Sequence, residues 1–300
     1  MAQKHPWQRV GRDHWLLRHL TRDRPGRPVV SWASLACIAA AGVYGLGAVL
    51  QSLGARRSAG SGLQALATIL RQRWYLAGLA CDLVGWLLTM YAVNHLPLFA
   101  VHTTLAGSVA VTVVLAWLFL RTPLRRVDGV AIAAVLLGLV LVGLTAGSTL
   151  DAGGGTQARV VLVLGVPLVG LVGVVAVRSQ RPIVAAVVAG LLFSLGAAAV
   201  RTLELGRAPA GLLAQPTAWA VPVYLGAGLV VHARSLQNGD VGPVTAALWA
   251  TEILVAAAAG YMLFGDRVRP GAFLWAMSGM LLALGATIHL ALSPSHAAAA

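Results

Sequence analysis

From Val29 to Ser293 the chain is a succession of apolar runs, each about 20 residues long and separated by loops too short to fold alone. Such a run makes enough helix to cross a bilayer's hydrocarbon core, where helices and closed barrels alone satisfy every backbone N–H and C=O. Composition agrees: apolar residues make up 58%, charged residues 10%, and the mean hydropathy is +0.81, values outside the range of soluble domains. The expected fold is all-α, a polytopic integral membrane protein of about nine transmembrane helices. The spans fall at approximately 29–53, 74–93, 97–120, 126–148, 159–177, 182–203, 217–236, 241–263 and 270–293.

Net charge is +13 and the pI is about 11.4. No nucleic-acid module accompanies that charge, and the arginines cluster in the N-terminal tail and at span ends, where basic residues meet anionic headgroups. The expected partners are a lipid bilayer and a small-molecule or ion substrate, with no nucleic acid. Residues 1–28 read as a basic amphipathic or disordered tail, and Ser61–Leu70 as an apolar segment too short to cross. The run starting at Val29 exceeds a signal-peptide core and has no A-x-A site after it, so it is expected to remain as a helix. Cys37 and Cys81 lie inside spans and read as small buried hydrophobes.

The chain also repeats itself. With Asn94 placed over Asn238, Phe119-Leu120-Arg121-Thr122-Pro123-Leu124-Arg125 lies over Leu263-Phe264-Gly265-Asp266-Arg267-Val268-Arg269. With a nearly equal offset, Tyr44-Gly45-Leu46-Gly47-Ala48 lies over Phe193-Ser194-Leu195-Gly196-Ala197. Spans one to four then match spans six to nine, and span five is a connector. Matching spans differ by an odd number, so each crosses opposite to its twin, as in transporters whose site lies at the midplane between inverted halves. The expected organisation is a first membrane repeat at 29–148, a connector at 149–181, a second repeat at 182–293 and a disordered end at 294–300. The basic tail favours a cytoplasmic N-terminus; the loops carrying Arg56/Arg57, Arg71/Arg73, Arg121/Arg125/Arg126 and Arg178/Arg181 favour the opposite sense by a narrow margin.

Two carboxylates lie deep in spans, Asp82 in span two and Glu252 in span eight. Each costs about 2.5 to 3.5 kcal/mol to insert and so calls for a partner or a function. Helical spacing puts Trp86 one turn after Asp82 and Trp249 one turn before Glu252. A carboxylate beside an aromatic face suits a cation or a proton, the competition an antiporter needs. The structural alternative pairs each acid with Arg201 or Arg234. Glu252 has Ser108 as its repeat twin, and Ser108 belongs to a hydroxyl stripe of Thr104, Ser108 and Thr112, with His102 and Thr103 at its edge. These residues suggest a central cavity between spans two, three, seven and eight, unless the hydroxyls serve only to bond within the bundle. His102 reads either as a proton carrier or as a packed, hydrogen-bonded histidine.

Other features read as structural. Ala134-xxx-Gly138 and Gly279-xxx-Ala283 are small-residue pairs that permit close helix contact within one chain or in a homodimer. Trp32, Trp74, Trp117, Trp219 and Trp275 sit near span ends as headgroup anchors. Pro97, Pro182, Pro243 and Pro270 start helices, and Asn94 and Asn238 suit loop or cap positions at helix starts. Asp151-Ala152-Gly153-Gly154-Gly155 lacks the Lys-Ser/Thr of a phosphate loop, and no catalytic motif is found, so neither enzymatic activity nor a cofactor is expected. A metal site is left open.

The stretches Val43-Tyr44-Gly45-Leu46-Gly47-Ala48-Val49-Leu50-Gln51, Trp74-Tyr75-Leu76-Ala77-Gly78 and Phe119-Leu120-Arg121-Thr122-Pro123-Leu124 resemble the drug/metabolite transporter superfamily. Within it, the chain is most similar to the branch holding the NIPA-type magnesium transporters and their bacterial relatives. The likeness extends over about 29–293. The Arg121-Thr122-Pro123 turn departs from the acidic residue usual there, whereas Gly265-Asp266-Arg267 keeps it. The resemblance implies alternating-access transport of a small solute, with a multi-pass location in a bacterial plasma membrane expected. The reading is thus a secondary transporter of a metabolite or organic cation, open to proton coupling. A magnesium or other divalent-cation transporter, a non-transporting scaffold and a lipid-headgroup carrier using Arg201 or Arg234 are the alternatives.

Overall fold

A computed structural model describes residues 31–56, 72–120, 124–149, 154–178, 181–204, 209–239 and 241–293. The basic tail, the Ser61–Leu70 segment, the Arg121–Pro123 turn, residues 151–153 of the glycine loop and the last residues of the chain lie outside these. The described elements are α1 (Trp32–Arg56), α2 (Arg73–Val93), α3 (Leu98–Ala106), α4 (Ser108–Leu120), α5 (Arg126–Thr145), β1 (Ala146–Thr149), α6 (Gly155–Arg178), α7 (Pro182–Arg201), α8 (Pro209–Leu213), α9 (Pro216–Asn238), α10 (Val241–Phe264), β2 (Asp266–Val268) and α11 (Phe273–Leu292).

The fold is an all-α membrane bundle. Among the described residues, eight stretches are long and apolar enough to cross a bilayer: Trp32–Gln51, Arg73–Val93, Leu98–Phe119, Arg126–Thr145, Gly155–Arg178, Pro182–Arg201, Gly242–Phe264 and Phe273–Leu292. The segment expected as span seven forms the 23-residue α9, which stands outside that set because Pro222, His232 and Arg234 dilute its apolar character. Large apolar side chains point away from the protein where lipid is expected. On α2, Leu79, Leu83 and Leu87 recur at helical spacing and are 49%, 59% and 54% exposed.

Buried share separates central from peripheral helices. In Leu98–Phe119, 78% of the apolar window is buried, against 22% in both Arg73–Val93 and Gly155–Arg178. Close approach is purchased with small residues. A Cβ on Gly138 of α5 would lie 2.7 Å from the Ala283 nitrogen and the Gly279 oxygen of α11, so the two small-residue pairs meet each other inside one chain. Gly47 and Gly78 bring α1 against α2 in the same way. Spans three and six are the most buried, with α1 packed along α3 and α4 and α7 packed along α10, while α3 touches α10 directly.

The structure corrects or refines several sequence expectations. Span three is two helices joined at Gly107, whose N–H bonds to the Thr104 carbonyl at 3.0 Å, while Ala110 N–H bonds to the Gly107 carbonyl at 3.0 Å. These i to i−3 bonds tighten the helix locally. Asn94 closes α2 instead of opening the next helix, its Nδ2 donating to the Met90 carbonyl at 2.7 Å. The bundle also includes two short strands that the all-α expectation omitted: β1 and β2 pair antiparallel, with Ala146 opposite Val268 and Thr149 opposite Asp266. This clasp joins the end of α5 to the turn after α10, and Arg269 N–H extends it to the Thr145 carbonyl at 3.0 Å.

Candidate functional site

Glu252 is the twelfth of the 24 residues of α10 and so sits at the helix centre. Its Oε2 lies 3.1 Å from His102 Nδ1, and the two side chains are only 8% and 4% exposed. His102 reaches it from α3, within two turns of the Gly107 break. Ser194 of α7 donates its hydroxyl to the Glu252 carbonyl at 3.0 Å. Three helices thus meet at Glu252, His102 on its carboxylate and Ser194 on its backbone carbonyl.

The other ring nitrogen, His102 Nε2, is buried and has no hydrogen-bond partner. An unsatisfied polar atom in so enclosed a place costs about 1 to 3 kcal/mol. A neutral imidazole donating from Nδ1 to the carboxylate leaves Nε2 as a lone-pair acceptor. The dyad has room in its chemistry for one more proton or one donor from a ligand.

Asp82, the tenth of 21 residues in α2, is also at mid-helix depth, yet it does not join this site. It turns toward α1, where Gln51 Nε2 donates to its Oδ2 at 2.5 Å. Its Oδ1 lies against Gly47, where an added Cβ would stand 2.8 Å away. Asp82 and Glu252 therefore belong to different helix seams, and the residues bonded to Glu252 come from spans three and six. Trp249 is half-buried between two parts of the apolar core, and Trp86 is half-buried on α2. Of the hydroxyls, Thr104 bonds back to the Ala100 carbonyl at 2.8 Å and Thr112 to that of Ser108 at 2.9 Å. Both bonds are local to the helix. Ser108 is buried and presents its carbonyl to α1 at Gly45.

The structure adds a charged cluster that sequence reasoning placed wrongly. Arg201, at the end of α7, forks onto Asp266 of β2 with Nη1 to Oδ2 and Nη2 to Oδ1 both at 2.8 Å. Their side chains are 0% and 1% exposed. Asp266 Oδ2 also accepts the Leu98 N–H at 2.7 Å, and the guanidinium stands 4.6 Å from the Phe264 ring centroid. Arg201 is thus occupied by a carboxylate from a turn, not by Asp82 or Glu252. The available signal was the acid in Gly265-Asp266-Arg267, which its twin turn lacks. Among the described residues, no three His, Cys, Asp or Glu side chains gather as a metal site.

No protein-family model, curated protein or solved structure matches the chain.

Proposed function

We propose that the protein is a secondary transporter that moves a small solute by alternating access, with His102 and Glu252 as the mid-membrane ion or cation site. The observation that carries this reading is a buried, incompletely satisfied acid–base pair at the centre of an apolar bundle, where ionisable groups are costly and mark pathways.

Nine crossings in two inverted halves form part of the same proposal, with α9 as the ninth. Offset-matched contacts support it. Gly45 lies against the Ser108 carbonyl, and its twin Ser194 bonds to the carbonyl of Glu252, the twin of Ser108. The Tyr44 ring covers Gly85 of α2, and its twin Phe193 covers Gly228 of α9, one residue from the position matched to Gly85. In each case a helix of one half makes the contact its counterpart makes in the other. Glu252 then faces across the pseudo-symmetry axis to the half carrying Ser108, and the broken α3/α4 segment supplies irregular backbone beside the site. The family resemblance to drug/metabolite transporters points the same way and is proposed on those grounds.

The chemistry favours a cationic or proton-exchanged cargo. A carboxylate near a half-buried indole attracts a cation, and a neighbouring imidazole can hold the proton that the cation displaces. Proteoliposomes enclosing a pH dye test this, challenged in parallel with organic cations, Mg²⁺ and buffer. Dye response to an organic cation, abolished in Glu252→Gln, supports the reading. A response to Mg²⁺ alone, seen also with a magnesium dye, replaces it with the divalent-cation reading. Silence from folded protein across the panel removes transport in favour of a scaffold.

A further inference from the structure

We propose that the Arg201–Asp266 pair and the β1–β2 clasp form a gate at one end of the bundle, closed in this structure, whose release admits cargo to His102 and Glu252 from that end. The proposal rests on the transport reading for its purpose but on separate residues for its geometry.

Four connections meet at this end: the turn from α2 into α3, the link from α5 into α6, the end of α7 and the turn from α10 into α11. Asp266 ties three of them together. Its carboxylate holds Arg201 of α7 by two bonds and the Leu98 N–H of α3 by a third. Its own strand holds β1 at the end of α5. The space for this carboxylate depends on Gly260, where a Cβ would stand 2.6 Å from Oδ2. One side chain therefore links both halves of the chain. Leu98 precedes His102 by four residues, so the seal lies one helical turn, roughly 5 to 6 Å, from the dyad along α3.

The seal has no charged counterpart at the matched positions of the first half, although buried Asp128 ties α5 to Ser293 at the other end. The positions matching Asp266 and Arg201 in the first half are Thr122 and Ser52, which carry no charge. A two-state carrier needs one end closed while the other opens. A buried bidentate ion pair suits a discrete latch, because it is either formed with full geometry or lost.

Spin labels at exposed His95 and Leu213, which stand at this end on opposite halves, report the gate directly through their distance distribution. Asp266→Asn should shift it toward longer separations. Because that variant leaves Arg201 buried without a counter-charge, the neutral pair Arg201→Met/Asp266→Leu is measured beside it and should shift the same way. An unchanged distribution in the folded neutral pair overturns the gate. As a second arm, Ala146→Cys/Val268→Cys is made in a Cys37→Ala/Cys81→Ala background to lock the clasp. Flux should fall in proportion to the fraction cross-linked and return on reduction; full flux with the bond formed overturns the gate. If the wild type moves nothing, the transport reading fails on its own, and the distance measurement still decides whether the latch exists.

Discussion

Removing either member of the buried His102–Glu252 pair should destabilise the protein more than removing both would suggest from the sum. The nitrogen and oxygen are 3.1 Å apart in side chains 4% and 8% exposed, so solvent screens them little. Truncating one partner leaves a buried polar group stranded, at a cost of about 1 to 3 kcal/mol or more for His102→Ala or Glu252→Ala. The double variant loses the pair but strands neither group. Its cost should therefore fall short of the sum by about 2 kcal/mol, within the range found for contacting residues. Denaturant titrations in mixed micelles, followed by circular dichroism and tryptophan fluorescence, give the three free energies where the two transitions coincide. Additivity within about 0.5 kcal/mol would refute the coupling and with it the dyad.

Gly138→Ala, whose Cβ would meet α11 backbone at 2.7 Å, should cost about 1 to 3 kcal/mol, while Gly143→Ala on the same helix, with open space around it, should be neutral or slightly stabilising. Thermal melts in one detergent compare them, and equal effects would contradict the α5–α11 contact. Gln51→Leu should destabilise by about 1 to 3 kcal/mol by stranding Asp82, and Gln51→Leu/Asp82→Leu should recover most of that loss in the same melts. Asp128→Ala should cost about 1 to 2 kcal/mol, because Asp128 caps the Arg125 N–H at 3.2 Å and accepts from Ser293 at 2.9 Å; an unchanged melting temperature would argue against that tie between α5 and α11.

Eight of the nine expected spans were legible among the described residues because an apolar run of about 20 residues makes a helix long enough to cross a bilayer. Span three was legible as a span but not as two helices. Glycine is common in membrane helices, so Gly107 carries no mark that distinguishes a break from a packing contact. The proposed duplication pairs Ser108 with Glu252 and Gly45 with Ser194; a Cβ on Gly45 would meet the Ser108 carbonyl, and Ser194 bonds to the Glu252 carbonyl. Depth identified Glu252 and Asp82, but depth alone is silent on helix rotation, and rotation sends Asp82 to Gln51 while Glu252 meets His102. Arg201 was visible as a costly charge; its partner, 65 residues away in a turn, is set by how the helix ends gather. Nor do Ala146-Gly147-Ser148-Thr149 and Asp266-Arg267-Val268 show the alternation that announces strands. They pair because the ends of α5 and α10 deliver them to the same place.

Counterflow tests the central claim most directly. Proteoliposomes are loaded with unlabelled cation, chosen as the one that drives the dye response, and uptake of the labelled form is followed. A carrier with one alternately exposed site returns faster when occupied, so preloading should accelerate uptake in the wild type and have no such effect in Glu252→Gln. Uptake that is fast but indifferent to preloading would mean a channel. Acceleration that survives Glu252→Gln would place the site elsewhere in the bundle.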